Sequence, residues 1–310
     1  MKSISIHWFA EADNPMEWYI FALLAPAFWA LNNVVIKFLI TNKFRSNLSL
    51  MFTVISCDAV FAVAVLIFGS VAYSFPYSFL ALAVGLMPLT AFWFYSKALI
   101  TEEVTRIVTL FQLIPVFVVV LSVIFLNEIL GVHRYLGIGL IVSASILVSY
   151  RKTGKKPFSG ALKFMIPFGI MIAAYTIIDK TLLGYLDFWT VFFWNLLGTF
   201  LGSLILLTLP KPRAEITKAI SAAGKKAVFT TFIGEGLYVI GTICSLIALS
   251  LADASLASSL FGLQPFYVFF YTIVLSLFLP QFLQEKSNKE TLLLKASAII
   301  LMFTGTWLIV

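Results

Sequence analysis

The chain has 310 residues, of which 61% are hydrophobic and 11% are charged, and its mean hydropathy is +1.02. These values exclude an ordinary soluble domain, in which about half of the residues are apolar. The net charge of +7 does not predict a nucleic-acid partner, because the lysines and arginines fall mainly in short segments between apolar runs, where they meet lipid headgroups. The composition therefore predicts an integral membrane protein in contact with the lipid bilayer.

The apolar runs predict the helices that cross the bilayer, since a spanning helix needs about 20 apolar residues. Ten runs of this length, bounded by charged residues, Pro or Asn, lie at 17–41, 48–73, 77–100, 104–127, 132–150, 161–183, 187–209, 228–251, 255–280 and 292–310. Between the seventh and eighth runs, residues 211–226 place Ala and Ile between Lys and Arg. This stretch predicts either a helix on the membrane surface or a polar loop.

A repeat at an offset of 150 residues divides the ten runs into five and five. The stretch "LFQLIP" that ends at Pro115 returns as "LFGLQP", which ends at Pro265. The same offset pairs Glu103 with Asp253 in the loop before each stretch. A matched acid and a matched proline are much less frequent by chance than matched Leu and Phe, so we interpret the repeat as an internal duplication.

An odd number of helices in each repeat has a geometric consequence, because the second repeat then enters the membrane from the opposite side. The sequence thus predicts an all-α integral membrane protein with ten transmembrane helices in two inverted five-helix repeats, at residues 1–150 and 151–310. Most lysines and arginines fall in the connections after the first, fifth, seventh and ninth runs. The positive-inside rule places these connections in the cytoplasm and both termini outside it, across a cell membrane.

Two stretches of the first repeat carry recognisable motifs. In "LFQLIPVFVVVLSVIFLNEIL", followed by "LGIGLIVSASILV", a Pro, an apolar run and a Leu-x-Glu lead into a Gly-containing helix. The first run holds "FWALNNVVIKFLI", with a Trp, a small residue, Asn and a terminal Lys. These motifs resemble the drug/metabolite transporter superfamily, in particular its EamA-type members. The second repeat departs from the pattern, with Gln281 where the Glu is expected.

The resemblance implies a secondary transporter and not an enzyme. In such proteins helices 1 to 4 and 6 to 9 surround a central cavity, and helices 5 and 10 are peripheral. We predict a transporter of small organic metabolites, an exporter of amino acids or related compounds, that works by alternating access at a midplane site between the repeats. Alternative substrates are phosphorylated or nucleotide-linked sugars and organic cations. Alternative functions are a non-transporting scaffold or receptor and an intramembrane lipid-modifying enzyme.

Two acidic residues inside the runs are candidates for proton coupling. Asp58 lies about ten residues into the second run, roughly 15 Å from its start. An ionised carboxylate at this depth is costly, so we predict that Asp58 exchanges a proton or binds a cation, or else forms an ion pair with Lys97 or Lys295. Glu235 stands between two glycines and is predicted to bind a substrate amine or the coupling proton, or else to pair with a lysine near the membrane surface.

The other substrate-binding candidates are polar and aromatic side chains on runs expected to border the cavity. Amide groups in a spanning helix seldom face lipid, and aromatic faces bind both apolar groups and cations. The predicted substrate-binding residues are Trp29, Asn32, Asn33, Trp93, Gln112, Glu235, Tyr238, Gln264 and Tyr267. The alternative for these side chains is packing and hydrogen bonding between helices.

Two prolines and a lysine within the runs are candidates for moving parts. Pro115 and Pro265 each remove a backbone donor inside a predicted helix, so we interpret them as a symmetric pair of hinges or as static kinks. Lys180, near the end of the sixth run, is interpreted as reaching the membrane interface or as a gate contact with Asp179.

Several chemistries lack the residues they need. His7 and His133 are the only histidines and lie at the edges of the apolar runs, and Cys57 and Cys244 lie inside runs without a CxxC pattern. No GxxxxGK[ST] motif for ATP hydrolysis is present. The sequence therefore predicts no metal site and no cofactor. The predicted partners are the bilayer, a small-molecule substrate and protons.

Overall fold

The computed structural model describes residues 17–44, 46–102, 107, 110–127, 131–149, 160–208, 210–278 and 289–309. Within these ranges the chain is helical, with turns and short connections and no β-strand. The helices are α1 Glu17–Asn42, α2 Asn47–Phe68, α3 Tyr77–Val84, α4 Leu86–Thr101, α5 Leu113–Phe125, α6 Val132–Ser149, α7 Leu162–Leu182, α8 Phe188–Thr208, α9 Pro210–Leu251, α10 Ala254–Phe261, α11 Gln264–Phe278 and α12 Lys289–Ile309. A 3-10 helix, Leu110–Gln112, leads directly into α5.

The surface of the helical bundle is apolar. Among the described residues, six helical segments are long and apolar enough to cross a membrane, namely Trp18–Asn42, Asn47–Phe68, Tyr77–Thr101, Leu162–Leu182, Phe188–Ile205 and Pro210–Leu251. Large apolar side chains stand outward on these and other helices, with Phe68 85% exposed and Trp307 78% exposed. An exposed apolar surface of this extent is unfavourable in water and favourable in lipid. The chain is therefore a multi-pass membrane protein.

The fourth and ninth predicted runs differ from the structure in continuity. In the ninth run α10 ends at Phe261 and α11 begins at Gln264, so the helix is interrupted just before Pro265. Pro115 is likewise the third residue of α5, directly after the 3-10 helix. In the first turn of a helix the backbone N–H has no partner within the helix, so proline is tolerated there. The prediction that both prolines stand in mid-helix is wrong, because each break precedes its proline.

The basic stretch at 211–226 forms a helix and not a polar loop. It is the first part of α9, which bends at Gly224, where φ is +79° and ψ is 166°. A positive φ strains residues that carry a side chain, so glycine suits this bend. Ile216 is buried, whereas Lys211 and Lys218 are exposed, so the segment has one apolar face against the protein and one basic face.

Close packing between α1 and α9 brings the two halves of the sequence together. A Cβ atom added to Gly241 would lie 2.7 Å from Cδ1 of Trp29, and one added to Gly234 would lie 2.9 Å from Cγ1 of Val35. The two glycines are seven residues apart and so lie on one face of α9, about two turns from each other. Small residues at such positions let helices approach closely in a membrane.

Helices α6 and α12 pack against each other, and their contact buries Ala144, Ala298 and Met302. None of the described residues of these two helices lines the cavity described below.

Two lysines make the same kind of contact at the ends of different helices. Lys37 Nζ donates to Leu99 O at 2.7 Å and Glu102 O at 2.9 Å, and Lys180 Nζ donates to Leu249 O at 2.8 Å and Ala252 O at 2.7 Å. The two pairs of acceptors are 150 positions apart, which is the offset of the sequence repeat. A cation satisfies the terminal carbonyl groups of a helix and complements its dipole. Lys37 thus joins α1 to the end of α4, and Lys180 joins α7 to the end of α9.

We expect Lys180→Met to destabilise the protein. Methionine preserves most of the side-chain volume but leaves two carbonyl groups without their charged donor, at a cost of about 1–3 kcal/mol each. The midpoint of thermal unfolding in detergent should therefore fall by several degrees. The matched control is Lys226→Met, on an exposed position of α9, whose midpoint should stay close to that of the wild type. Equal midpoints for both variants would show that the Lys180 contacts contribute nothing to stability.

Candidate functional site

A cavity of about 200 Å³ lies in the middle of the bundle. One water molecule occupies only about 10–15 Å³ of such volume, so the cavity has room for a small organic molecule. Its wall is formed by residues of both halves of the chain, from α1, α2, α4 and α5 on one side of the sequence and from α7 to α11 on the other.

Aromatic rings form much of the cavity wall. The lining aromatic residues are Trp29, Phe92, Tyr95, Phe111, Phe168, Tyr175, Tyr238 and Phe261. Phe111 joins the rings of Tyr95 and Phe168, with centroid distances of 5.5 Å and 5.0 Å. Trp29 meets Phe261 edge to face at 5.4 Å. Rings packed in this way hold each other in place and present faces and edges to a ligand.

Three buried acidic side chains also line the cavity. Asp58 is 5% exposed, Asp179 is 1% exposed and Glu235 is 2% exposed. No Lys, Arg or His occurs among the described residues of the wall. An acid that is buried without a basic partner is costly, and such groups in membrane helices mark sites for ions, protons or substrates.

Asp58 on α2 and Glu235 on α9 meet across the cavity wall. Each lies 11 residues, or about 16 Å, into its helix, counted for Glu235 from the bend at Gly224. Their carboxyl groups are in hydrogen-bonding contact, and no donor reaches Asp58 Oδ1. Two unit charges about 4 Å apart repel each other by about 4 kcal/mol at an effective dielectric constant of about 20. Because an ionised carboxylate cannot donate, this contact requires a proton on one of the two groups.

The pair differs from the ion pairs that were the alternatives for each residue. Glu235 is buried inside the bundle, and its partner is Asp58 and not a lysine. Lys97 does not line the cavity, and its Nζ lies 5.7 Å from the centroid of the Trp93 ring. The side chain of Lys295 lies outside the described part of the structure.

Asp179 on α7 has a different environment, with donors from two neighbours. Asn195 Nδ2, on α8, lies 2.9 Å from Asp179 Oδ1 and 3.1 Å from Oδ2. The same amide nitrogen donates to the hydroxyl of Tyr175 at 3.0 Å, which places this hydroxyl beside the carboxyl group of Asp179. Because Tyr175 accepts from Asn195, its own O–H is available to donate to the carboxylate. The Asn195 amide therefore holds the carboxyl group of Asp179 in position.

The structure brings most of the predicted site residues to one place. Those that line the cavity are Trp29, Asn32, Asn33, Asp58, Pro115, Glu235, Tyr238 and Gln264. Asn33 accepts a hydrogen bond of 2.8 Å from Tyr95 OH, and Trp29 Nε1 donates to Thr242 Oγ1 at 3.3 Å. Asn33 Nδ2 and Asn32 Oδ1 are buried without a partner, so polar groups remain for a ligand.

Other predicted site residues lie elsewhere. Trp93 is 41% exposed, does not line the cavity and belongs to the outward face of α4. Tyr267 is also absent from the cavity wall and stacks on Tyr271, with centroids 6.3 Å apart. Pro265 is buried but does not line the cavity. The side chain of Gln112 lies outside the described part of the structure.

Sequence reasoning missed the group formed by Tyr175, Asp179 and Asn195 as a cavity feature. Asp179 was considered only as a gate partner of the neighbouring Lys180. A signal was nevertheless present, since the cavity-lining residues of α7 follow helical spacing and include two polar groups one turn apart, Tyr175 and Asp179. A search for polar residues at i and i+4 within apolar runs identifies this pair.

An all-helical, multi-pass membrane protein with a buried acidic cavity is the class that the fold and the site define. The sequence profile of the EamA-like transporter family matches residues 16–150. The resemblance seen in the sequence motifs is thus confirmed for this part of the chain, which is similar to transporters of the drug/metabolite transporter superfamily. Proteins of this family are transporters and not enzymes.

The fold is shared with solved structures. One of them, described only as "Crystal structure of protein", matches with a TM-score of 0.65 at 17% sequence identity, over 94% of this chain and 95% of that chain. At this identity the likeness concerns the fold alone. No curated protein matches the chain.

Proposed function

We propose that the protein is a secondary transporter that carries small organic cations through the central cavity by alternating access. The observation that supports this substrate class is the charge of the wall, which has three buried acids and, among its described residues, no basic side chain. Eight aromatic residues surround these acids. Aromatic faces attract cations, and a carboxylate supplies the opposite charge.

Amino-acid export, the function predicted from the sequence, is the second candidate. The ammonium group of an amino acid fits the same acids, and the buried Asn33 Nδ2, which has no partner, offers a donor to a carboxylate. An amide is a weaker partner for a carboxylate than a guanidinium or ammonium group. Phosphorylated and nucleotide-linked sugars are disfavoured, because their phosphates require several cations.

The proposed architecture is ten transmembrane helices in two inverted repeats, at residues 1–150 and 151–310. The equivalent contacts of Lys37 and Lys180 support it, because their acceptors are separated by the offset of the repeat, 150 positions. Alternating access then exposes the cavity to each side of a cell membrane in turn. Both termini are proposed to lie outside the cytoplasm, from the distribution of Lys and Arg. Pro115 and Pro265, next to helix breaks, are proposed as the hinges.

The proposed substrate contacts are the lining residues that the sequence also indicated. They are Trp29, Asn32, Asn33, Tyr238 and Gln264. Asp58 and Glu235 are proposed to carry the coupling proton. Trp93 and Tyr267 are left out of the proposed site, because the structure turns them away from the cavity.

A series of ligands with one phenyl ring and different charges tests the substrate class. We expect phenethylamine, a cation, to raise the thermal unfolding midpoint of the purified protein most, since a ligand that binds the folded state stabilises it. Phenylalanine, the zwitterion, should stabilise it less, and 2-phenylethanol and 3-phenylpropionate should have little effect. Stronger stabilisation by phenylalanine would favour amino-acid transport instead.

Counterflow in proteoliposomes tests transport itself. Vesicles that contain the protein and are loaded with phenethyltrimethylammonium, whose charge is permanent, should take up the labelled compound from outside faster than vesicles without protein. Absence of counterflow for the cation and for phenylalanine would contradict a transport function.

A further inference from the structure

We infer that the cavity contains two acidic sites with separate tasks: Asp179 binds the ammonium group of the substrate, and the Asp58–Glu235 pair holds the exchangeable proton. This inference rests on the proposed transport of organic cations and assigns the residues that perform it. It gives a binding role to a residue, Asp179, that sequence reasoning did not place in the site.

The hydrogen bonds of Asp179 prepare it to bind a cation. Asn195 Nδ2 lies 2.9 Å and 3.1 Å from its two oxygens, and the same nitrogen donates to the Tyr175 hydroxyl at 3.0 Å. Both neighbours are neutral, so they hold the carboxyl group in position without supplying a positive charge. Tyr175 and Asp179 both line the cavity, and the Tyr175 ring places an aromatic surface beside the carboxylate. A negative charge next to an aromatic surface is the arrangement that recognises an alkylammonium group.

The Asp58–Glu235 pair has the opposite character. The two carboxyl groups are in hydrogen-bonding contact with each other, and Asp58 Oδ1 is buried and has no donor. The other titratable side chains beside the pair or in the same wall are Cys57 on α2, Tyr95 on α4, Tyr175 and Asp179 on α7, and Tyr238 on α9. On the faces of α1 and α8 that line the cavity, the polar groups are the indole N–H of Trp29, the amides of Asn32 and Asn33 and the hydroxyl of Thr199. No described basic group in the wall compensates the pair, so a proton is the positive charge that it can take up and release.

The two sites influence each other through their charges. Tyr238 lines the same cavity and interacts electrostatically with Asp58, Glu235 and Asp179. A cation at Asp179 and a proton on the pair are two positive charges in one cavity of low dielectric constant, so each disfavours the other. Binding of one monovalent cation therefore promotes release of the proton from the pair. It follows that the affinity for the cation rises with pH, and that substrate and proton move in opposite directions.

Variants of Asp179 test the substrate site by titration calorimetry with phenethylamine and its neutral analogue 2-phenylethanol. In Asp179→Asn, the affinity for the amine should fall at least tenfold, and the preference for the amine over the alcohol should disappear. Asp179→Glu should recover part of that preference because it restores the charge. Asp253→Asn, at an exposed position outside the cavity, is the matched control and should bind as the wild type does. An Asp179→Asn protein that unfolds at the wild-type temperature yet keeps the preference would overturn the assignment.

Glu235→Gln tests the proton site in the same experiment. The Gln amide can donate to Asp58 and so imitates the protonated pair at every pH. We expect this variant to bind phenethylamine with the wild-type affinity of low pH, with no change between pH 6 and pH 8 and no proton release when the buffer is varied. Retained proton release would overturn the role of the pair. If the wild type binds neither phenethylamine nor phenethyltrimethylammonium, the proposed function fails together with this inference. If the wild type binds and Asp179→Asn binds equally well, only this inference fails.

Discussion

Asp58→Asn is expected to reduce pH-driven accumulation of phenethyltrimethylammonium in proteoliposomes at least tenfold. An Asn at position 58 can donate to Glu235, so the contact persists, but the pair no longer contains a proton that it can exchange. A vesicle with an acidic interior then has no means of using its proton gradient to accumulate the cation. The measurement compares uptake with and without the gradient. Counterflow at equal pH, which needs no net proton movement, should fall far less than gradient-driven uptake.

Two controls decide how this result is interpreted. Asp253→Asn removes an exposed carboxyl group outside the cavity and should keep full gradient-driven uptake. The thermal unfolding midpoint of Asp58→Asn, measured in detergent, separates loss of coupling from loss of fold. A wild-type pH dependence in the Asp58→Asn protein would exclude Asp58 as a proton carrier and leave the second carboxyl group, Glu235, to be tested alone.

The bounds of several helices were predictable, because the bilayer sets the length and composition of a helix that spans it. The first predicted run, 17–41, corresponds to α1 at Glu17–Asn42, and the second half of α9 ends at Leu251 as predicted. The breaks before Pro115 and Pro265 were not predictable from hydropathy, since the residues around them are as apolar as the helices that they interrupt. Proline indicated that something changes locally, but only the tertiary structure shows on which side of it the helix stops.

The site was predictable in part. The position of a residue along its own helix can be read from the sequence, but its contacts with residues of other helices cannot. The position of Asp58 in the second run identified it as a buried acid. Its partner is on a helix that begins about 150 positions later, and single-sequence patterns do not say which faces of two helices meet. Trp93 was predicted to line the cavity, but it is 41% exposed on the outer surface. Aromatic side chains are favourable in lipid as well as in a cavity, so their presence in a run does not distinguish the two positions.

Under the proposed duplication, the contact between Asp58 and Glu235 has an unlike counterpart in the other half. The start of α8 follows that of α2 by 141 positions, so Asp58 corresponds to Thr199, and the offset of 150 relates Glu235 to Gly85. Thr199 Oγ1 donates to Gly85 O at 2.6 Å. The crossing of α2 and α9 thus contains a carboxyl pair that requires a proton. The equivalent crossing, of α8 with the α3–α4 segment, contains a close contact between a hydroxyl and the backbone. We propose that the crossing of α8 with the α3–α4 segment stays fixed during transport, and that the proton-dependent crossing of α2 and α9 changes its geometry.

Gly198→Ala is expected to disrupt this fixed crossing and to destabilise the protein strongly. A Cβ atom at position 198 would lie 2.0 Å from Leu82 O and 2.9 Å from Leu82 C, and backbone atoms cannot move away by changing a rotamer. Helices α3 and α8 must therefore separate, at a cost of about 3 kcal/mol, the upper end of the usual range for overpacking. The matched control is Gly139→Ala on α6, where an added Cβ meets nothing within 4 Å and helix propensity improves. Thermal unfolding in detergent should place Gly198→Ala well below the wild type and Gly139→Ala at or above it. Equal midpoints for the two variants would show that α3 and α8 separate without cost, and the crossing would then be no more fixed than its counterpart at Asp58.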